Sequence, residues 1–454
     1  MSEMVSYAYA IPDERVLYLM PNIIIPEKPS FREKLSLMRE DSSYDIADGD
    51  GAAQGDYSGW DSPGNDLAAI GKSISNIKSK PSPPTVPKVF VSNDCSFNCA
   101  YCGCRCSKDK RRYTHSAGEI ADLALASAEE CGHGVFITSA ICKNADYTEE
   151  LIIDTLRSIR HKRGYGGYVH AKIMPGADPL LIRQLGFLAD RVSVNIELPH
   201  SEGYRILAKQ KTRKNILSPM AAVSDLIDEL SPRTGPRARS ETGRPFAPAG
   251  QTTQMMVGAM GETDRTITVL ADRLYKKFDL RRVYYSPFDA SEAGGYRTPK
   301  WRGRRLYQAD RLVKLYGMDP DEILPENSPN LEFDIDPKSG YALRNIHMFP
   351  VEVNSADYET LLRIPGIGIT SAKKMIAARK VARLTHDKLK YMRIPLSKSK
   401  YFITCGGQYC GGSMLGSPHL RAKLWADEFV FMQNMEQTSI CGADALPIDY
   451  DVST

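Results

Sequence analysis

Residues 95 to 102 read Cys-Ser-Phe-Asn-Cys-Ala-Tyr-Cys and follow closely on the apolar run Lys88-Val-Phe-Val-Ser92. Cysteines so spaced at the end of a strand, Cys95, Cys99 and Cys102, can present three thiolates to one metal centre. The number is informative. A closed zinc site takes four protein ligands, whereas an iron–sulfur cubane held by three leaves one iron open to a small molecule. Cys104 and Cys106 follow at once, so spacing alone leaves a four-ligand zinc site as the alternative. Soft thiolates suit either metal, and the apolar Phe97, Ala100 and Tyr101 would shield the centre from water.

A second concentration of chemistry lies far along the chain, at Leu361-Leu-Arg-Ile-Pro-Gly-Ile-Gly-Ile-Thr-Ser-Ala-Lys-Lys374. Pro365 ends one helix, Gly366 and Gly368 permit a tight hairpin around Ile367, and Thr370 or Ser371 can cap the next helix. Backbone N–H groups at such a helix start can bind a phosphate, with Lys373 and Lys374 adding charge. Between Leu361 and Trp425 there are 13 Lys and Arg against one acid, Asp387, so this segment carries +12 and the rest of the chain −8 of the net +4. That asymmetry predicts a polyanionic partner at this end of the chain. A second stretch, Asp387–Phe402, has helical spacing with Arg393-Ile-Pro-Leu-Ser397 where the glycine hairpin would be, and reads as a degenerate companion.

The elements that must position the thiols are legible between 88 and 290. Strand-like runs at Val89–Val91, Gly134–Ala140, Tyr168–Met174, Arg191–Leu198, Thr252–Met260 and Arg282–Phe288 alternate with helical periodicity. Six such alternations imply parallel pairing with right-handed crossovers and favour a partial or complete barrel over a flat sheet. Ligands then belong at the carboxyl ends of the strands, where the cysteine loop leaves the first one. On the fourth strand Asn195 and Glu197 alternate with Val194 and Ile196, so they are expected on one face, with Lys172 as a candidate partner. Thr138 and Ser139 stand at the end of the second strand, and Gly258 near the end of the fifth permits close approach of a ligand.

Around this core, residues 1–87 read as an N-terminal extension, partly disordered in its Asp-, Gly- and Ser-rich middle. Residues 232 to 250 read as a basic insertion, 291–350 as a helical connector, 351–403 as a small all-α module and 404–454 as a tail, where Cys405, Cys410 and Cys441 read as ordinary free thiols, the alternative being a further metal site with His419 as fourth ligand. The chain has 454 residues, enough for two or three domains, with 42% apolar and 25% charged residues, an ordinary globular balance. No apolar run reaches membrane-spanning length, and the start lacks a signal-peptide layout. Five of the ten cysteines crowd into residues 95 to 106, which predicts metal binding in a reducing cytoplasm rather than a disulfide framework.

The cysteine loop, with Tyr101 directly before the third thiol, resembles the cluster motif of the radical S-adenosylmethionine superfamily. Asp146-Tyr-Thr-Glu-Glu150, Gly166-Gly-Tyr-Val-His-Ala-Lys172 and Arg191-Val-Ser-Val-Asn-Ile-Glu-Leu-Pro199 are similar to its DNA modification or repair subgroup, often linked to a uracil-DNA glycosylase. The resemblance implies a partial (β/α)6 barrel and a [4Fe–4S] cluster on Cys95, Cys99 and Cys102. It also implies S-adenosyl-L-methionine near Tyr101, Thr138, Ser139, Lys172, Asn195, Glu197 and Gly258, and an electron donor. A 5′-deoxyadenosyl radical would then abstract hydrogen from the substrate. The second strand departs from the superfamily in lacking the usual Gly-Glu segment. The segment around Gly366, Ile367, Gly368, Lys373 and Lys374 resembles a helix–hairpin–helix element and implies a nucleic-acid partner, DNA before RNA. The rival expectation is a DNA-binding protein whose cluster is structural or redox-sensing.

Overall fold

The computed structural model describes residues 33–34, 37–38, 86, 88–131, 134–230, 243–289 and 297–426. The expectations for the rest of residues 1–87, for most of the basic insertion and for Cys441 lie outside the described residues.

Six parallel strands pair in sequential order: β1 (Lys88–Phe90), β2 (Val135–Thr138), β3 (Val169–Lys172), β4 (Arg191–Ser193), β5 (Gln251–Val257) and β6 (Arg282–Pro287). Helices cross between them: α1 (Ala117–Cys131), α2 (Ala145–Arg157), α3 (Pro179–Leu188), α4 (Ser201–Leu207), α5 (Arg213–Leu230) and α6 (Asp264–Phe278). Local chemistry sets their starts. Asn144, Asp178 and Thr263 each accept a backbone N–H of the first turn as N-caps of α2, α3 and α6, and Pro179 begins α3. This mixed α/β arrangement, with β1 and β6 as its edges, fits a partial (β/α)6 barrel.

The two faces of the sheet differ because strand side chains alternate. Val89, Ile137, Ala171, Val192 and Val283 enter one apolar core with helical residues such as Ile120, Ile152 and Leu185. Gln251 marks the same outward face, since its Nε2 donates to Met220 O of α5 at 3.1 Å. The opposite parity faces the concave side.

The expected fourth strand, Arg191–Leu198, is shorter than its pattern suggested. Pairing stops at Ser193, and the backbone resumes contact with β5 only at Glu197, which bridges Met255. Thr253 Oγ1 fills the gap, receiving Ile196 N at 2.9 Å and donating to Val194 O at 2.7 Å. Glu197 has a left-handed φ of 63°. The interruption is a bulge-like device that re-aims side chains at the strand's end.

After β6 come α7 (Lys300–Tyr316), α8 (Pro320–Ile323) and α9 (Pro337–Arg344). A second core then gathers residues from Ile335 to Leu424. It holds β7 (Val351–Glu352), α10 (Tyr358–Arg363), α11 (Ile369–Arg379), α12 (His386–Tyr391), α13 (Leu396–Ser399), β8 (Ile403–Cys405) and β9 (Gln408–Tyr409). The all-α expectation for 351–403 is corrected here. β7 pairs parallel with β8, which turns back through Gly406 and Gly407 into β9. Nor are residues 404 to 424 a loose tail, because Cys405, Leu420 and Leu424 are buried in this core. Apolar burial, not helical periodicity, sets the boundary.

Candidate metal and ligand site

The cysteine loop is fixed by its backbone. Ser96 N and Oγ donate to Ile141 O beyond β2, at 2.8 and 3.0 Å, and Ala100 N donates to Leu207 O at the end of α4, at 2.7 Å. Cys106 N closes the loop on Phe97 O at 2.9 Å. Arg112 supplies a clamp that sequence reasoning missed. Its Nη1 donates to Asn93 O and Cys104 O at 2.8 and 2.9 Å, and its Nη2 to Arg105 O and Lys108 O at 2.7 and 3.0 Å. A planar guanidinium suits this work, since it offers several donors in a rigid fork. No motif spacing advertises such a residue; only the count of loop carbonyls needing donors could have.

Within this frame Cys99 is buried, Cys95 and Cys102 are half-buried, Cys104 is buried and Cys106 exposed. Burial pushes the Cys99 thiol up to about 11, opposed by the nearby Lys211 ammonium and reinforced by Glu197, Cys102 and Cys95. Burial also raises Cys95, against backbone N–H groups at Phe97 and Ile141. The three sulfurs are therefore within one another's electrostatic reach. Phe97 N donates to Cys95 Sγ and Cys104 N to Cys102 Sγ, both at 3.4 Å. Among the described residues, no three Cys, His, Asp or Glu side chains are gathered closely enough to hold a single ion. Phe97 and Tyr101 pack against the barrel core as expected of shielding residues, whereas Ala100 is exposed.

Glu197 does not pair with Lys172. Its Oε1 receives Lys211 Nζ at 2.9 Å, and the same ammonium reaches the Tyr101 hydroxyl at 3.3 Å. Burial, the largest single influence, would lower the Lys211 pKa, but Glu197, Tyr101 and Cys99 together outweigh it and the net shift is well upward. Lys211 sits in the loop between α4 and α5, a position with no periodic signal. Asn195 takes a separate path: its Nδ2 donates to Gln254 Oε1 at 2.9 Å, and Gln254 Nε2 donates to Ser286 Oγ at 2.7 Å. Asn195 and Glu197 thus sit in two networks rather than one. Thr138 and Ser139 are buried at the end of β2. Gly258, with φ of 85°, follows β5 where an added Cβ would fall 2.1 Å from Thr298 Oγ1, so the position admits only glycine.

In the second core, α10 and α11 are joined by Ile364-Pro-Gly-Ile-Gly368. Gly366 is exposed with φ of 82°, and a Cβ there would approach Ser399 N and Pro395 O at 3.4 and 3.6 Å. The glycine turn therefore packs directly on the short α13 and its N-cap Pro395, which closes the matching Arg393-Ile-Pro395 turn. Arg393 takes φ of 58° where the first turn uses glycine at a different point. Lys373 and Lys374 are exposed on α11. Ile367, by contrast, is buried, and its carbonyl receives Lys338 Nζ, so this residue is anchored inward rather than offered to a ligand.

Fold and site together define a class: an α/β protein with a thiol-bearing loop at the carboxyl end of the first of six parallel strands. No protein-family model matches the chain, and no curated protein matches it. Among solved structures the chain is similar to the crystal structure of HydG, a maturase of the [FeFe]-hydrogenase, at 16% identity with a TM-score of 0.38. The match covers 54% of this chain and 54% of that one, so the chain spans about half the length of that structure. Among the described residues no helix is long and apolar enough to cross a membrane.

Proposed function

We propose that the chain is a [4Fe–4S]-dependent radical S-adenosylmethionine enzyme acting on nucleic acid, with DNA the first substrate to test. The observation that carries this is the trio Cys95, Cys99 and Cys102, half-buried to buried and held at the carboxyl end of β1. A cubane takes its thiolates on separate irons, so a cluster on this trio would leave a fourth iron open to the cofactor. N–H donors to Cys95 and Cys102 fit thiolates bearing negative charge.

When bound, the cluster supplies the electron that splits the sulfonium of its cofactor into methionine and a 5′-deoxyadenosyl radical. The chain's own residues would bind, orient and exclude water. Tyr101 and the Glu197–Lys211 pair flank the thiols, while Asn195 and Ser139 are the strand-end groups available to the cofactor, the close approach at Gly258 being taken by Thr298. Arg112 and the α4 end keep the loop from opening.

The turn at Gly366–Gly368, packed on the Arg393–Pro395 turn in a strongly basic segment, supports a paired helix–hairpin–helix reading and phosphate contacts without base readout. An electron donor is required, and a uracil-DNA glycosylase-like protein is the partner to look for.

The test is anaerobic reconstitution, reduction with dithionite, and measurement of iron, 5′-deoxyadenosine and modified nucleosides from treated DNA and RNA. Wild-type protein should release 5′-deoxyadenosine and Cys99→Ala should not. Cofactor cleavage by Cys99→Ala at the wild-type level would overturn the assignment. Iron loading without any cleavage would turn the reading to a structural or redox-sensing cluster.

A further inference from the structure

A row of polar side chains crosses the concave face of the sheet at one level. Register pairs Thr138 with Phe90 of β1, Lys172 with Ser193, Ser193 with Thr252, and Thr252 with Arg282. Extending the β2–β3 register by one residue sets Thr138 beside Lys172. Paired residues in a ladder share a face. Gln251 reaching out to α5 leaves its neighbour Thr252 turned inward, so the whole row looks into the barrel.

What sets Thr138, Lys172, Ser193 and Thr252 apart is that their side-chain polar atoms have no hydrogen-bond partner among the described residues. Thr138 Oγ1, Ser193 Oγ and Thr252 Oγ1 are buried and unpaired. Lys172 is half-buried and makes no ion pair or hydrogen bond, its expected partner Glu197 being taken by Lys211. Two residues down on β3, the buried His170 stacks on Phe136 with its Nε2 also unpaired. Native interiors pair nearly all such groups, and leaving one unmade costs about 1–3 kcal/mol. Three at one level, beside the half-buried ammonium of Lys172, is a debt that a ligand would settle.

The chemistry of that ligand follows from the donors. Among the described strand residues, none on the concave face is acidic, while Lys88, Arg191 and Arg282 share it with Lys172. A cation would be repelled, and a neutral polyol would leave the ammonium uncompensated. An oxyanion with several acceptor oxygens satisfies the ammonium and the hydroxyls together. We propose that Thr138, Lys172, Ser193 and Thr252 form an anion-binding row inside the barrel that takes a phosphate group of the substrate. Lys172 is the accessible member and meets the anion first; Thr138 and Ser193 flank it in the ladder and Thr252 lies one strand further on. The assignment to substrate rests on the nucleic-acid reading above, whereas anion binding itself does not. It moves Thr138 and Lys172 from the cofactor to the substrate.

The experiment is calorimetric titration of the reconstituted full chain with inorganic phosphate, thymidine 5′-monophosphate, thymidine and S-adenosylmethionine, with iron content measured in parallel. Thymidine 5′-monophosphate should bind at least tenfold more tightly than thymidine. Lys172→Met should remove at least tenfold of that affinity, Lys172→Arg should retain most of it, and the near-isosteric Thr252→Val should lose severalfold. Equal affinity for nucleotide and nucleoside would overturn the proposal. So would a Lys172→Met protein that keeps phosphate affinity but loses S-adenosylmethionine, since the row would then hold the cofactor's carboxylate. The phosphate titration reads the row with or without iron, so failed cluster loading would count against the enzyme assignment alone.

Discussion

Lys211 Nζ lies 2.9 Å from Glu197 Oε1, with side-chain exposures of only 11% and 9%. The pair joins the α4–α5 loop to the point where the interrupted β4 rejoins β5, and it touches Tyr101 of the cysteine loop. Removing one partner of a buried pair strands the other charge, at a cost of about 3–5 kcal/mol. Lys211→Met should therefore lower unfolding stability by an amount of that order, and Glu197→Gln in the same chain should recover a good part of it. A double-mutant cycle by denaturant unfolding reads this directly; additive losses would mean that the two side chains are not coupled.

Arg112 holds four carbonyls around the thiols, and a lysine at that position has a single point of donors to offer them. Arg112→Lys should leave the melting temperature within a few degrees of wild type. Iron release to a chelator from the reconstituted protein should nevertheless speed up severalfold. Unchanged release kinetics would show that the loop keeps its shape without the clamp.

Phosphate contacts from the basic module imply a steep dependence of DNA affinity on salt. Each lost lysine contact lowers the log–log slope by about 0.9. Replacing Lys373 and Lys374 together by alanine should flatten the slope by about 2 and weaken binding alike for unrelated sequences. Gly366→Val should weaken it by another route, since φ of 82° costs a β-branched residue about 1–2 kcal/mol or more. Fluorescence anisotropy across a salt series checks both.

Glu149 of α2 is fully buried, with Oε2 accepting Met174 N at 2.9 Å. Burial raises its pKa to about 8, Met174 N–H opposing and Asp146 adding to the rise. The folded state thus keeps a proton that the unfolded chain gives up near its ordinary value. Between roughly pH 4.5 and 8 the native state binds more protons, so stability falls as pH rises. Glu149→Gln removes that slope, and its melting temperature relative to wild type should climb from pH 5 to pH 8. A pH-independent difference would place the ionised form in the native protein.

Much of the barrel was legible in sequence because alternation of apolar strands and amphipathic helices is a local pattern. Helices cross between the strands as that periodicity implied, and all six strands formed. The shortened β4 was not legible, because Val194 and Ile196 continue the strand alternation while Thr253 of another strand takes up their backbone groups. The helical module was misjudged at its edges for a similar reason. β7 and β8 are two and three residues long, and they pair across 50 residues of intervening chain. Lys211 and Arg112 were missed because loop residues acquire roles from distant partners.

By itself, the sequence determined the three thiols in one loop, the parallel α/β alternation and the positive charge of residues 361 to 425. These depend on covalent spacing, periodicity and composition. Only tertiary structure decided that Glu197 belongs to Lys211, that Arg112 braces the loop, and that Lys172 stands among unpaired hydroxyls on the concave face. Each of those depends on strand register and loop docking. Such long-range geometry is set by burying a shared core, which no local pattern encodes.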